Sequence, residues 1–66
     1  MQIIVDGLPK QVPDGATVGE VLRLLGEPIG SILVEVNGIY LRPGDYDRRA
    51  LAPGDRLEVI LPATGG

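Results

Sequence analysis

Hydrophobic residues in this 66-residue chain follow a strand period, change once to a helix period and then return to a strand period. Residues 2–6 are rich in β-branched side chains, which is typical of a strand. Asp6-Gly7 is a turn dipeptide, and residues 10–12 predict a short strand that returns beside the first. The beginning of the chain therefore predicts a β-hairpin.

The helix period is confined to one segment with a signal at each end. Thr17 predicts the N-cap, and Glu20 follows it by three positions, as a capping box requires. Gly26 lies where a left-handed C-cap is expected, and Pro28 prevents continuation. The sequence thus predicts a helix of about two turns. Its apolar stripe consists of Val18, Val21, Leu22 and Leu25.

A second hairpin signal follows the helix. Residues 31–36 alternate, with Ile32 and its i+2 neighbours on one face and Leu33 on the other. The next two residues are Asn-Gly, the strongest two-residue hairpin signal, and residues 39–41 predict a short return strand.

The last third of the chain predicts a loop, a strand and a tail. Residues 42–50 contain proline, glycine and several charges, which favours a loop with one helical turn. Residues 56–61 alternate as a strand does, and Pro62 ends the pairing. We therefore expect a folded domain over residues 1–61 and a mobile tail over 62–66.

The predicted order is strand, strand, helix, strand, short strand, strand. Hairpin connections pair neighbouring strands, and a single helix must cover one face of the sheet. The sequence therefore predicts an α+β fold of two layers, with one face of the sheet left open.

Composition narrows the functional classes. The net charge is −3 and the only aromatic residues are Tyr40 and Tyr46, which argues against nucleic acid as a partner. The chain has no cysteine and no histidine, so an internal active site or a metal site is not expected. Apolar stretches are too short to cross a bilayer, and no signal peptide is indicated. We expect a soluble, cytoplasmic protein without enzymatic activity of its own.

Three groups of polar or aromatic residues have simple interpretations. Tyr40 and Tyr46 are expected to be packing residues whose hydroxyls reach water. Arginines 42, 48, 49 and 56 could steer a partner, but a solvated charged loop is the simpler interpretation. Asp45-Tyr46-Asp47 lacks the remaining positions of a calcium loop and predicts a turn.

The element order and several motifs together resemble the β-grasp, ubiquitin-like sulfur carriers of the ThiS/MoaD type. Within that superfamily the sequence is most similar to ThiS, the carrier of thiamine biosynthesis. Leu61-Pro62-Ala63 is instead more similar to the end of the small subunit of molybdopterin synthase. The residues that carry the resemblance are Met1-Gln2-Ile3, Gly15-Ala16-Thr17-Val18, Glu20, Leu22, Leu25, Asn37, Gly54-Asp55 and Gly65-Gly66.

The resemblance implies a mixed sheet of four or five strands in the order 2-1-5-3, with the first and last strands parallel at its centre. Ile4, Leu33 and Ile60 would then lie side by side on the open face and form a docking patch for a partner. Singly exposed apolar residues are also normal, so the patch competes with a plainer interpretation. Under the helix the resemblance places Ile3, Val5, Val34, Val36, Leu57 and Val59.

The resemblance also implies the chemistry. An ATP-dependent adenylating enzyme related to the ubiquitin activators would convert the carboxylate of Gly66 to an acyl-adenylate. A sulfurtransferase or cysteine desulfurase would supply sulfur to form a thiocarboxylate, and a thiazole synthase would accept it. ATP would be used by the partner, so no cofactor is expected on this chain. The segment entering the partner's active site would be Ala63, Thr64, Gly65 and Gly66, where glycine permits close backbone approach.

Three alternatives remain open at the level of sequence. The same carrier chemistry could serve molybdopterin synthesis, tRNA thiolation or cysteine synthesis. A ubiquitin-like modifier would share the adenylate but join Gly66 to lysines of other proteins. A non-catalytic binding module would use the sheet alone and have no need of Gly65-Gly66.

Overall fold

The computed structural model describes residues 1–62, which contain one α-helix and one five-stranded sheet. The helix, α1, spans Val18–Leu24, and two 3-10 turns span Ile29–Ser31 and Pro43–Asp45. The strands are β1 (Gln2–Val5), β2 (Leu8–Gln11), β3 (Leu33–Val36), β4 (Ile39–Leu41) and β5 (Arg56–Ile60).

The sheet is mixed, with strand order β2-β1-β5-β3-β4. β1 and β5 are parallel neighbours at the centre, whereas β1–β2, β3–β4 and β3–β5 are antiparallel. This architecture confirms the predicted β-grasp α+β fold, including the order 2-1-5-3, and adds β4 at the edge. β5, the last of these strands along the chain, thus lies at the centre of the sheet.

Both predicted ends of the helix are confirmed. Thr17 Oγ1 accepts a hydrogen bond from the backbone N–H of Glu20 at 3.2 Å. Gly26 has a φ of +71°, the left-handed conformation that favours glycine. The Glu27 N–H then donates to the Leu22 carbonyl at 3.0 Å, which satisfies one of the last carbonyls of the helix.

The loop between β4 and β5 closes over the beginning of the helix. The Val18 N–H donates to the Arg49 carbonyl and the Gly19 N–H to the Tyr46 carbonyl, both at 2.9 Å. These loop carbonyls accept bonds from N–H groups that have no partner within a helix. The loop is therefore an integral part of the fold, with a single 3-10 turn as predicted.

The core lies between α1 and one face of the sheet. Of the residues predicted to meet there, Val5, Val59 and Leu25 are half-buried and the others are buried. Five buried residues come from the connections instead, and only Ile32 among them belonged to a predicted alternating face. They are Val12, Ala16, Ile32, Tyr46 and Leu51.

Tyr46 corrects one sequence-based expectation. Its side chain is 3% exposed, so the hydroxyl does not reach water as expected, whereas Tyr40 remains 53% exposed. Among the described residues, no group hydrogen-bonds the Tyr46 hydroxyl. Burial raises the pKa of Tyr46, since an apolar environment disfavours the phenolate.

Strand boundaries differ modestly from those predicted. β2 begins at Leu8 because the Asp6-Gly7 turn needs only two residues, so the hairpin is tighter than expected. β3 begins at Leu33, because the preceding 3-10 turn occupies the chain up to Ser31. β5 ends at Ile60, and Leu61 is already exposed.

Candidate docking face and C-terminal exit

The four residues predicted to enter a partner's active site, Ala63, Thr64, Gly65 and Gly66, lie outside the described residues. The described chain leads towards them through β5, whose last residue is Ile60, and then through the exposed Leu61 and Pro62. The candidate site therefore consists of the end of β5 and the sheet face around it.

Leu33 and Ile60 are brought together, as the family resemblance implied. They are directly opposite each other in the antiparallel pairing of β3 with β5. Their neighbours Val34 and Val59 face the helix, so alternation turns Leu33 and Ile60 to the open face. Both remain substantially exposed, at 43% and 39%. An apolar pair thus lies beside the point where the chain leaves the sheet.

Ile4 is not part of that pair, and the expectation that all three residues lie side by side is wrong. Ile4 is opposite Arg56 in the parallel pairing of β1 with β5. Arg56 precedes Ile60 by four residues, which is about 13 Å along a strand. The Ile4 N–H donates to the Asp55 carbonyl at 2.9 Å, and this bond sets the register. Ile4 shares the open face but lies at its far end.

Acidic residues lie on the open face between Ile4 and the Leu33–Ile60 pair. Glu58 is directly opposite Glu35, and Glu35 is in turn opposite Tyr40 on β4. Like charges facing each other across strands destabilise a sheet slightly. Among the described residues neither glutamate forms an ion pair. The open face thus combines an apolar end with a negatively charged middle.

The exit of the chain from β5 is held by a contact that the sequence did not reveal. The Val59 N–H donates to Asp6 Oδ1 at 2.9 Å, and the Asp6 N–H donates to the Leu57 carbonyl at 3.0 Å. Asp6 has a φ of +48° at the beginning of the hairpin turn. The only signal in the sequence was the Asp-Gly dipeptide, which predicted the turn but not the bond.

A second network joins the turns at the other end of β5. Asn37 Nδ2 donates to Asp55 Oδ1 at 3.1 Å, and the Arg56 N–H donates to Asn37 Oδ1 at 2.9 Å. The Ala52 N–H donates to Asp55 Oδ2 at 2.8 Å. The bonds from Ala52 and Asn37, helped by Arg49 at 3.8 Å, lower the pKa of Asp55. The beginning of β5 is thereby fixed to the β3–β4 hairpin.

Four of the charged loop residues have partners within the fold. Arg42 is 3.5 Å from Asp45, and Arg49 belongs to the Asp55 network. Asp47 pairs with Arg23 of the helix at 2.7 Å. These contacts agree with the simpler interpretation of the arginines as structural surface charges.

Two further features of the described part of the chain concern metal ligands and surface grooves. Residues 1–62 contain no cluster of three or more side chains able to hold a metal ion. Two open grooves of about 400 and 350 Å³ flank the helix, one beside Glu20 and Arg23 and one beside Leu8 and Leu25. Neither includes Leu33 or Ile60. No helix in this part is long and apolar enough to cross a bilayer.

Two solved structures that are similar to this chain are those of thiamine-biosynthesis proteins. A crystal structure of the thiamine biosynthesis protein ThiS from Geobacter metallireducens is 29% identical, with a TM-score of 0.89 and complete coverage of both chains. A solution NMR structure of a thiamine biosynthesis protein from the same organism is 30% identical, with a TM-score of 0.78. The match covers 100% of this chain and 87% of the chain in the NMR structure. No curated protein sequence matches significantly.

The family assignment rests on the sequence profile of the ThiS family. That profile matches residues 4–66, which include the helix, β5 and Gly65-Gly66. The match spans nearly the whole chain and agrees in fold with the structures above. This chain belongs to the ThiS family.

Proposed function

We propose that this protein is a sulfur carrier of thiamine biosynthesis whose reactive group is the carboxylate of Gly66. The observation that carries the proposal is the ThiS profile match, which extends through Gly65-Gly66. The folded body supports it: β5 lies at the centre of the sheet and leads towards these residues, with an apolar pair beside its end. In this proposal the folded domain is what partner enzymes bind, and the C-terminal residues are what reacts.

The proposed chemistry takes place in partner enzymes. A free carboxylate is a poor electrophile, so an adenylating enzyme joins it to AMP from ATP and releases pyrophosphate. A thiol reductant releases sulfide from the persulfide of a sulfurtransferase; this sulfide attacks the carbonyl carbon of Gly66, and AMP leaves. The product is a thiocarboxylate, whose sulfur a thiazole synthase accepts. The chain is a substrate in each step.

The docking surface follows the corrected geometry of the open face. Leu33 and Ile60 form the apolar contact nearest the exit, and Ile4 lies apart at the far end. Burying both residues of the pair against the adenylating enzyme would remove two exposed apolar side chains from water. Binding at this end of the sheet also keeps Gly66, six residues beyond Ile60, close to the bound partner.

ATP–pyrophosphate exchange tests the proposal directly. The full chain, mixed with the adenylating enzyme of its own organism, is expected to stimulate exchange of labelled pyrophosphate into ATP. A chain shortened to end at Thr64 is expected to remain folded and to stimulate none. Leu24→Ala, an exposed substitution on the helix, is the matched control and is expected to behave as the full chain does.

The other outcomes distinguish the rival functions. Equal exchange by the shortened chain would contradict a role for Gly66. Exchange followed by a lysine conjugate that survives thiol treatment would identify a protein modifier instead. No exchange, with partner binding unaffected by the truncation, would identify a binding module that uses the sheet alone.

A further inference from the structure

The parallel pairing of β1 with β5 stops before β5 does. Ile4 and Val5 pair with Arg56 and Leu57, and then the chain reverses at Asp6 into the hairpin turn. On its other side β5 stays paired with β3 as far as Ile60. The last residues of β5 therefore lack a strand on the β1 side.

A side chain replaces the missing strand at one position. In a regular parallel ladder the Val59 N–H would donate to the next backbone carbonyl of β1, that of Asp6. Because Asp6 is in the left-handed region, its backbone no longer continues the strand. Its carboxylate oxygen Oδ1 accepts the bond instead, at 2.9 Å.

This bond defines where the chain leaves the sheet. Beyond Val59, the described residues form no further hydrogen bond to the β1 side, and Leu61 and Pro62 are exposed. Gly66 follows Val59 by seven residues. Without the bond, the last contact of β5 with β1 would retreat to Leu57 and the end of β5 would be held by β3 alone. About one further residue would then have to be ordered when the C-terminal segment binds an enzyme.

We propose that Asp6 is a positioning residue that holds the exit of the C-terminal segment, so that Gly66 is presented to the activating enzyme. The inference rests on the proposed function. It concerns how the carboxylate is delivered, since Asp6 itself touches no reacting atom. Residue type supports the assignment: aspartate tolerates positive φ and has a short side chain that can accept the bond.

Two substitutions separate the acceptor from the backbone conformation. Asp6→Asn keeps an oxygen acceptor and the tolerance of positive φ, whereas Asp6→Gly keeps only the tolerance. With the adenylating enzyme, Asp6→Gly is expected to raise the KM for the carrier about 5- to 30-fold, the factor for ordering one further residue, with a smaller change in kcat. Asp6→Asn is expected to restore KM to near the original value.

Amide hydrogen exchange tests the proposed cause. In Asp6→Gly the Val59 amide is expected to exchange faster, while core amides such as that of Leu57 keep their protection. A second, independent variant removes the donor instead: a synthetic chain with Val59 replaced by its α-hydroxy analogue, which lacks the N–H. It leaves the β1–β2 turn untouched and is expected to raise KM in the same way.

Each outcome decides one claim. If the original chain supports no adenylation, the proposed function fails, whatever Asp6 does. Suppose instead that the original chain supports adenylation, and that Asp6→Gly and the α-hydroxy analogue at Val59 both keep the original KM although the Val59 bond is lost. The positioning role of Asp6 is then overturned, and the proposed function stands. Should Asp6→Asn be as impaired as Asp6→Gly, the acceptor is not the cause and the inference also fails.

Discussion

Asn37 donates a hydrogen bond from Nδ2 to Asp55 Oδ1 across 3.1 Å, and this bond connects the β3–β4 turn to the turn preceding β5. Asp55 accepts a second bond from the Ala52 N–H. Both bonds favour the ionised carboxylate and lower its pKa in the folded state. The connection between these two turns is therefore weakened when acid protonates Asp55.

The stability of the domain is accordingly expected to fall in acid. Because the pKa of Asp55 is lower in the folded than in the unfolded chain, its contribution is fully present above the unfolded pKa of about 3.9. It is lost as pH decreases through the folded value. Urea unfolding between pH 7 and pH 2 is expected to show this loss as a decrease in the free energy of unfolding. In Asp55→Ala the free energy of unfolding is expected to depend less steeply on pH. Identical slopes in the two proteins would contradict the assignment.

Leu22 and Leu24 lie on the same helix, but their substitution by alanine is expected to change stability by very different amounts. Leu22 is completely buried, so Leu22→Ala is expected to lower the free energy of unfolding by about 2–5 kcal/mol through the cavity it leaves. Leu24 is 67% exposed, so Leu24→Ala is expected to change it by less than about 0.5 kcal/mol. Similar urea midpoints for the two variants would contradict the assignment of Leu22 to the core and Leu24 to the surface.

Removal of the Tyr46 hydroxyl is expected to maintain or increase stability. The group is buried and has no hydrogen-bond partner among residues 1–62. Leaving such a group unsatisfied costs about 1–3 kcal/mol, and Tyr46→Phe would recover part of that. Thermal unfolding measures the effect, with the exposed Tyr40→Phe as control. A clear loss of stability in Tyr46→Phe alone would mean that the hydroxyl has an ordered partner.

The docking pair predicts a defect in binding without a defect in folding. Leu33→Ser and Ile60→Ser are each expected to raise the KM of the adenylating enzyme for the carrier about tenfold, since each removes an apolar contact. Ile39→Ser is the matched control. Ile39 is 72% exposed, but it pairs with Val36 and therefore lies on the helix side of the sheet, not on the open face. An equal effect of all three substitutions would argue against a specific patch.

Local signals in the sequence predicted most of the fold. Thr17 and Gly26 mark the ends of the helix through chemistry that operates within a few residues, and both predictions are confirmed. The strand order followed from the family resemblance. What could not be predicted depends on contacts between distant residues: Tyr46 is buried because its loop folds over the helix, and Asp6 reaches Val59 across 53 positions of sequence.

The candidate site was predictable in the same uneven way. Alternation placed Leu33 and Ile60 on one face, and the antiparallel register made them neighbours. Alternation says nothing about the offset between parallel strands, so Ile4 was assigned to the correct face at the wrong position. The roles of Ala63, Thr64, Gly65 and Gly66 stay predictions, because these residues lie outside the described part of the chain.

Intact-mass spectrometry tests the central claim most directly. The chain is incubated with its adenylating enzyme, ATP and a sulfur donor, and then fragmented to locate any change. The account predicts a mass increase equal to the exchange of one oxygen for one sulfur, located at Gly66 and dependent on ATP. An unchanged mass under conditions where the enzyme activates its carboxylate, or a sulfur located elsewhere in the chain, would contradict it.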